Sequence, residues 1–245
     1  MFLKRSLFKL LGPYKYYLLV SRLFFFLYDL GLLRIKEKFA YHYFVRKLVK
    51  SGDTVIDVGA NMGYYTKIFA HKAGKKGHVY AVEPVSLYRK ILERNIRDLS
   101  NVSIIPFALG SEEGKKVKMG IPEGSGFHRH GLTRVLENVA DPGRELLFEE
   151  TMHTPEYLFG KLERIDYIKC DVEGYEIYVI PLFYRIIEKH RPIIQIETSK
   201  ESRAVITPML VKIGYRAFHI ENSALKSFDD RNKPAGDIIY YCDID

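Results

Sequence analysis

Residues 54–63, TVIDVGANMG, constrain the fold more than any other stretch of the chain. A short apolar run interrupted only by Asp57 reads as a buried strand. Gly59 and Gly63 bracket a turn, and from Met62 to Lys72 the apolar residues recur at helical spacing. A strand that passes through a glycine turn directly into a helix opens a βαβ unit, and in open parallel sheets ligands bind beyond such strand exits. The stretch HVYAVEP repeats the pattern as a second strand, followed by a helix over 85–99 with Pro84 suited to its first turn.

The alternation continues. VSIIPFAL reads as a third strand, RIDYIKCDVEG as a fourth followed by a helix from Tyr175, and RPIIQIET as a fifth followed by a helix over 201–213. GYRAFHI and DIIYYCDI supply two more strands. The pattern predicts one doubly wound α/β domain over residues 51–245. The period is lost over 110–160, where Gly, Glu, Lys and His dominate, which predicts an irregular insertion of loops and short hairpins.

The two cysteines, Cys170 and Cys242, lie in apolar strand-like segments without CxxC spacing, which suggests neither a disulfide framework nor a zinc site and suits a reducing, cytoplasmic setting. The net charge of +8 is concentrated in residues 1–50, where eleven Lys and Arg face only Asp29 and Glu37. That segment is also rich in Phe, Tyr and Leu, but charges at Lys15, Arg22, Asp29 and Arg34 keep every uncharged run below the roughly eighteen residues of a membrane span. Basic residues recurring throughout, with no small-residue cleavage site, argue against a secretory signal. A helical segment of this kind either lies at the inner face of a membrane as a peripheral contact or stacks on the neighbouring domain with its basic residues solvated.

The turn reads D-x-G-x-N-x-G rather than G-x-G-x-x-G. A dinucleotide site uses its second glycine for close approach of the pyrophosphate. Here Asn61 fills that approach and Asp57 places negative charge beside it, which disfavours an NAD-dependent oxidoreductase. Both suit a ligand bearing an ammonium group. Glu83, at the end of the second strand, stands where an acid accepts hydrogen bonds from ribose hydroxyls. A nucleoside carrying an amino-acid ammonium is S-adenosylmethionine. The plainer alternative makes both acids caps for the helices that follow.

DTVIDVGANMGYYT, VYAVEP, IDYIKCDVEGYE and PIIQIE together resemble the FkbM-type S-adenosylmethionine-dependent methyltransferases, over residues 52–245. The resemblance implies a Rossmann-like class I methyltransferase fold with a seven-stranded, mostly parallel sheet whose last strand is antiparallel. It implies that Asp57, Gly59, Asn61 and Gly63 line the methionine part of the cofactor, that Glu83 holds the ribose, and that Phe107 and Ala108 lie near the adenine. It does not cover the first fifty residues and fits 110–160 only loosely, which implies that this stretch selects the substrate.

In KCDVEG, an extended backbone would point Lys169, Asp171 and Glu173 to one face and Cys170 and Val172 to the other. Asp171 and Glu173 are therefore the candidate catalytic carboxylates, one as base for an acceptor hydroxyl and the other orienting the acceptor or the cofactor, with Asp171 also counted among the cofactor contacts. A Lys169 ion pair in a strand-end network is the structural alternative. His128 is a third catalytic candidate, in GSGFHRHGLTRV with Arg129, His130 and Arg134. His128 and His130 match no familiar metal spacing, so no metal is expected. Glu197 should point into the same crevice. The expected acceptor is a hydroxyl of a sugar, glycan precursor or small metabolite, as the resemblance implies. An RNA methyltransferase is disfavoured because the basic charge lies outside the domain that holds the site. A non-catalytic S-adenosylmethionine-binding module is the alternative from another class, and oligomeric state is left open.

Overall fold

A computed structural model of the protein describes residues 2–124, 127–128, 134–135, 145–229 and 236–242. In chain order the elements are α1 (Phe2–Asp29), α2 (Ala40–Leu48), β1 (Thr54–Val58), α3 (Tyr64–Ala73), β2 (His78–Val82), α4 (Ser86–Ile96), β3 (Val102–Ile105), β4 (Ala108–Leu109), β5 (Lys116–Gly124), β6 (Phe127–His128) and β7 (Arg134–Val135). They continue with β8 (Glu145–His153), α5 (Pro155–Phe159), β9 (Tyr167–Cys170), α6 (Glu176–Leu182), α7 (Tyr184–His190), β10 (Ile193–Thr198), α8 (Lys200–Lys212), β11 (Tyr215–Glu221), β12 (Ala224–Ser227) and β13 (Gly236–Cys242).

The main sheet runs β12-β11-β13-β10-β9-β1-β2-β3. β3, β2, β1, β9 and β10 are mutually parallel, and β13, the last strand of the chain, is antiparallel to both β10 and β11. This is the doubly wound, mostly parallel sheet that the resemblance implies, with one strand more than the seven expected. The addition is β12, paired antiparallel with β11 across Asn222 and Ser223, both at positive φ (49° and 59°). A two-residue loop with positive φ at both positions is a tight hairpin turn. Asn-Ser carries a weaker signal for it than Asn-Gly.

Residue parity assigns the two sheet faces. Ile56, Val58, Ile168, Cys170, Ile194 and Ile196 pack in one core with Val179, Ile180, Ile187, Ile206 and Leu210 of α6, α7 and α8. Val55, Val79 and Tyr167, of opposite parity, pack with Val45 of α2 and Tyr65, Ile68 and Phe69 of α3. The central strands are buried on both faces, which explains their near-continuous apolar runs.

The stretch expected to be irregular holds two nine-residue strands. β5 and β8 pair antiparallel from Lys116↔Thr151 to Pro122↔Glu145, and with β4 and β6 they form a second sheet, β7 pairing with β5 beside it. Val117, Met119, Met152 and Ala108 make its small core. The alternation was obscured because the outward residues are Lys and Glu and because Gly120 and Pro122 interrupt β5. The expected third strand also divides. β3 ends at Ile105, and beyond Pro106 the chain leaves for β4 in the second sheet.

The N-terminal helices stack on the domain. Tyr16 and Tyr17 pack against Met62, Val85, Tyr88 and Ile91. The Tyr17 and Tyr88 rings meet edge to face at 6.1 Å. Asn95 Nδ2 donates to both Ser21 Oγ (3.0 Å) and the Met62 carbonyl (2.8 Å), joining α1, α4 and the glycine turn. From α2, the Tyr41 hydroxyl donates to the Asp237 carbonyl at 2.5 Å. Tyr17 is 1 % exposed, so Tyr17→Ala should destabilise the protein by ~3 kcal/mol in urea denaturation. A loss below ~1 kcal/mol would contradict the packing of α1 described here.

Candidate functional site

The exits of β1, β2 and β9 surround a cleft of about 260 Å³. Asp57, Gly59, Asn61, Glu83, Phe107, Ala108, Asp171 and Glu173 all line it. Gly63 does not. It stands behind the turn as the left-handed N-cap of α3 (φ 86°), where a Cβ would lie 2.6 Å from Leu92 Cδ1. Its place is conformational rather than in the lining. α3 accordingly begins at Tyr64 and not at Met62.

Gly59 (φ 78°) carries the sharpest constraint, since a Cβ there would stand 1.8 Å from the Asp171 carbonyl oxygen. Bare backbone lets the β1 and β9 exits meet, with the Asp171 N–H donating to the Val58 carbonyl at 3.1 Å. Asn61, at φ 51°, accepts the Met62 N–H on its own Oδ1 at 2.8 Å, the local bond that makes Asn tolerable in this conformation.

Glu83 is almost wholly buried, and each carboxylate oxygen accepts one backbone N–H, from Asn61 and from Val85, both at 2.8 Å. The capping alternative is thus part of the truth, and each oxygen keeps a further lone pair. Burial pushes its pKa up to about 7 against the pull of those bonds. Asp57 is fully buried. Its Oδ2 accepts the Thr66 hydroxyl at 2.6 Å, and its Oδ1 has no hydrogen-bond partner. Burial raises its pKa, and Lys169 opposes the rise. A buried carboxylate oxygen without a partner in a cleft wall suits an ammonium ligand.

The Lys169 ion pair exists. Its ammonium, 2 % exposed, donates to Asp171 Oδ2 at 2.8 Å and lies 4.5 Å from the centre of the Tyr65 ring. Burial alone would lower its pKa, but Asp171, Asp57 and Asp237 together raise it and keep it charged. β9 ends at Cys170, so the expected extended alternation through Glu173 does not occur. Glu173 sits at φ 55° in a turn whose Val172 and Gly174 N–H groups donate to Glu176 Oε1. The turn nevertheless brings the carboxylates of Asp171, Glu173 and Glu197 within 4.8 Å of one another, although Glu197 is not among the residues that line the cleft.

Such a trio cannot be fully ionised without a compensating cation. Asp171 is held low, against burial, by Lys169 and by a hydrogen bond from Glu197. Burial and the Asp171 charge push Glu197 up to about 9, and burial, Asp171 and Glu176 push Glu173 up to about 7. The trio offers three ligand atoms that could hold a metal ion.

Of the insertion candidates, the backbone of His128 lies in β6 opposite Glu123 and that of Arg134 in β7 opposite Gly120. The His128 side chain, Arg129 and His130 lie outside the described residues. The sequence reading missed His42. From α2 it lines the cleft, stacks on Tyr65 at 4.1 Å, and is held neutral by burial and by Lys169, which bring its pKa down to about 3. No motif announces a lone His on a helix ahead of the domain. Asp237, whose carboxyl is pushed up to about 6 by burial, was also missed. An acid within an apolar strand, the signal that marked Asp57, was available for it.

The model of the methyltransferase FkbM domain matches residues 57–217. A protein-L-isoaspartate O-methyltransferase of Methanococcoides burtonii is 33% identical over 103 residues, 40% of this chain and 46% of the relative. Among solved structures, methyltransferase FkbM from Methylobacillus flagellatus superposes with a TM-score of 0.56 at 16% identity, covering 84% of this chain and 48% of the other. A candidate rRNA methylase from Clostridium thermocellum gives 0.50 at 12% identity, covering 82% and 92%. The chain thus spans about half the length of the first two.

Two outcomes are expected. Gly59→Ala should lower stability by ~2 kcal/mol or more, because both the clash and the positive φ oppose it, and an unchanged urea midpoint would contradict this geometry. The second concerns pH. Glu173 has an unfolded value of 4.5 and a folded value of about 7, so between them the folded state holds a proton that the unfolded chain has released. Its contribution to stability is complete below 4.5 and is lost as pH rises through about 7. Urea midpoints across that window should fall less for Glu173→Gln than for the wild type. Parallel curves would refute the assignment.

Proposed function

This chain belongs to the FkbM methyltransferase domain family, and from that premise we propose that it transfers the methyl group of S-adenosylmethionine to a hydroxyl of a sugar, glycan precursor or similar small metabolite. One observation carries the reading. The cleft has a partnerless buried carboxylate oxygen, that of Asp57, in the wall beyond β1, and a trio of carboxyl groups stands where β9 and β10 end.

In this reading Asp57 pairs with the amino-acid ammonium, Glu83 accepts from the ribose hydroxyls with its remaining lone pairs, and Phe107 and Ala108 flank the base. When bound, the cofactor supplies a methyl group already activated on a sulfonium, so the protein has to align an acceptor and take its proton. Glu173 is the general base, because a carboxylate with a value of about 7 is matched to proton abstraction near neutral pH. Asp171, kept ionised by Lys169, accepts a hydrogen bond from the acceptor and fixes its angle. Glu197 retains its proton and donates to Asp171. Carboxyl groups in different protonation states present both donors and acceptors, which suits a polyhydroxyl acceptor. The same acidic end disfavours the phosphates of a nucleic acid.

Titration calorimetry should detect binding of S-adenosylmethionine and of its demethylated product but not of NAD. Incubation with methyl-labelled cofactor and fractionated extract should transfer label to a carbohydrate-containing fraction, and Glu173→Gln should lower kcat by about 10²–10⁴ with KM for the cofactor little changed. Failure to bind either compound, or label passing only to RNA, would overturn the proposal.

A further inference from the structure

Beyond Gly12 (φ 70°), where α1 breaks, the helix is apolar on opposite sides. Tyr17, Ser21, Phe25 and Tyr28 face the domain and are buried. On the other side, Leu19, Leu23, Phe26 and Leu30, spaced four, three and four residues apart, form one stripe in which each side chain is 46–61 % exposed. Leu32 and Ile35, the latter 87 % exposed, continue the apolar surface into the turn that follows. A surface helix ordinarily carries polar residues there, and a contiguous apolar stripe marks a contact surface.

The surroundings of the stripe indicate its occupant. Lys15, Arg22 and Asp29, seven residues apart, lie along one edge of it, and Lys9, Arg34, Lys36, Glu37 and Lys38 lie towards its two ends, all exposed, so that six cations stand against two acids. On the flank of the same helix, a cavity of about 370 Å³ between α1, α2 and α3 is lined by Phe25, Tyr28, Arg46, Lys67 and Lys72, with Asp29 as its one acid. An apolar stripe with cations along its border and an anion-suited recess beside it is complementary to an anionic phospholipid surface, in which acyl chains lie behind a layer of phosphates. A second copy of the same face would bring two net-positive borders together. No helix among the described residues is long and apolar enough to cross a membrane, so the geometry is one of lying on a bilayer.

We propose that the outer face of α1, with the basic recess at its flank, docks the protein onto anionic phospholipid bilayers. The inference does not depend on methyl transfer, because vesicle binding is measured without any cofactor. The full chain is floated with phosphatidylcholine vesicles and with vesicles containing about 30% phosphatidylglycerol, at low and high salt. Binding should be at least about tenfold stronger to the anionic vesicles, should weaken with salt, and should fall about tenfold in Leu23→Gln/Phe26→Gln and in Lys15→Glu/Arg22→Glu. All four residues are exposed, and an unchanged thermal midpoint checks each fold. Absence of vesicle binding, or equal binding by the wild type and both variants, would overturn the proposal. So would a concentration-dependent dimer that Leu23→Gln/Phe26→Gln abolishes, which would identify a second copy as the occupant.

Discussion

The site depends on one buried ammonium. Lys169 stands in register with Asp57 of β1 on one side and Gln195 of β10 on the other, donates to Asp171 just beyond its own strand, and is held charged by Asp237 of β13 as well. Taking an ammonium out of water costs several kcal/mol, which only close, well-placed carboxylates offset. Here they come from β1, from the exit of β9 and from β13. The arrangement works in both directions, because without the ammonium Asp57 and Asp171 would face each other across adjacent strand exits as unscreened like charges. Gly59 makes the approach sterically feasible, and Lys169 makes it electrostatically tolerable.

The same charge divides the carboxylates beyond β9 and β10 into different states. Asp171 touches the ammonium and stays ionised. Glu173 and Glu197, further from it and close to Asp171, are pushed toward protonation. Three chemically equivalent side chains thereby acquire distinct proton affinities through position alone, as acid-base work at neutral pH requires.

What could be read from the sequence was whatever is local. The strand, turn and helix at residues 54–73 follow from residue types a few positions apart, and so do the acids that end β1 and β2. Asp171 and Glu173 are legible in the motif KCDVEG, but a left-handed turn at Glu173, not strand alternation, brings their carboxylates together. The β5–β8 pairing escaped because it joins strands separated by some twenty residues and because Lys and Glu alternate with the few apolar residues that mark its buried side. His42 escaped for a deeper reason. Its role arises only when α2 packs on α3, and no periodicity in either helix encodes that neighbour. The N-terminal helices also lie outside the family match, yet they contribute His42 to the cleft lining and, through the Ser21–Asn95 hydrogen bond, a brace on the glycine turn.

The two margins of the main sheet are built alike. At one, β12 has four residues and carries Lys226; at the other, β3 has four and is stopped by Pro106. Unpaired backbone at a sheet margin is a template on which a foreign strand can grow, and brevity, a lysine and a proline each shorten or blunt that template. A layer with such parallel apolar strands at its centre would otherwise invite lateral polymerisation, and short, blunted outer strands oppose it.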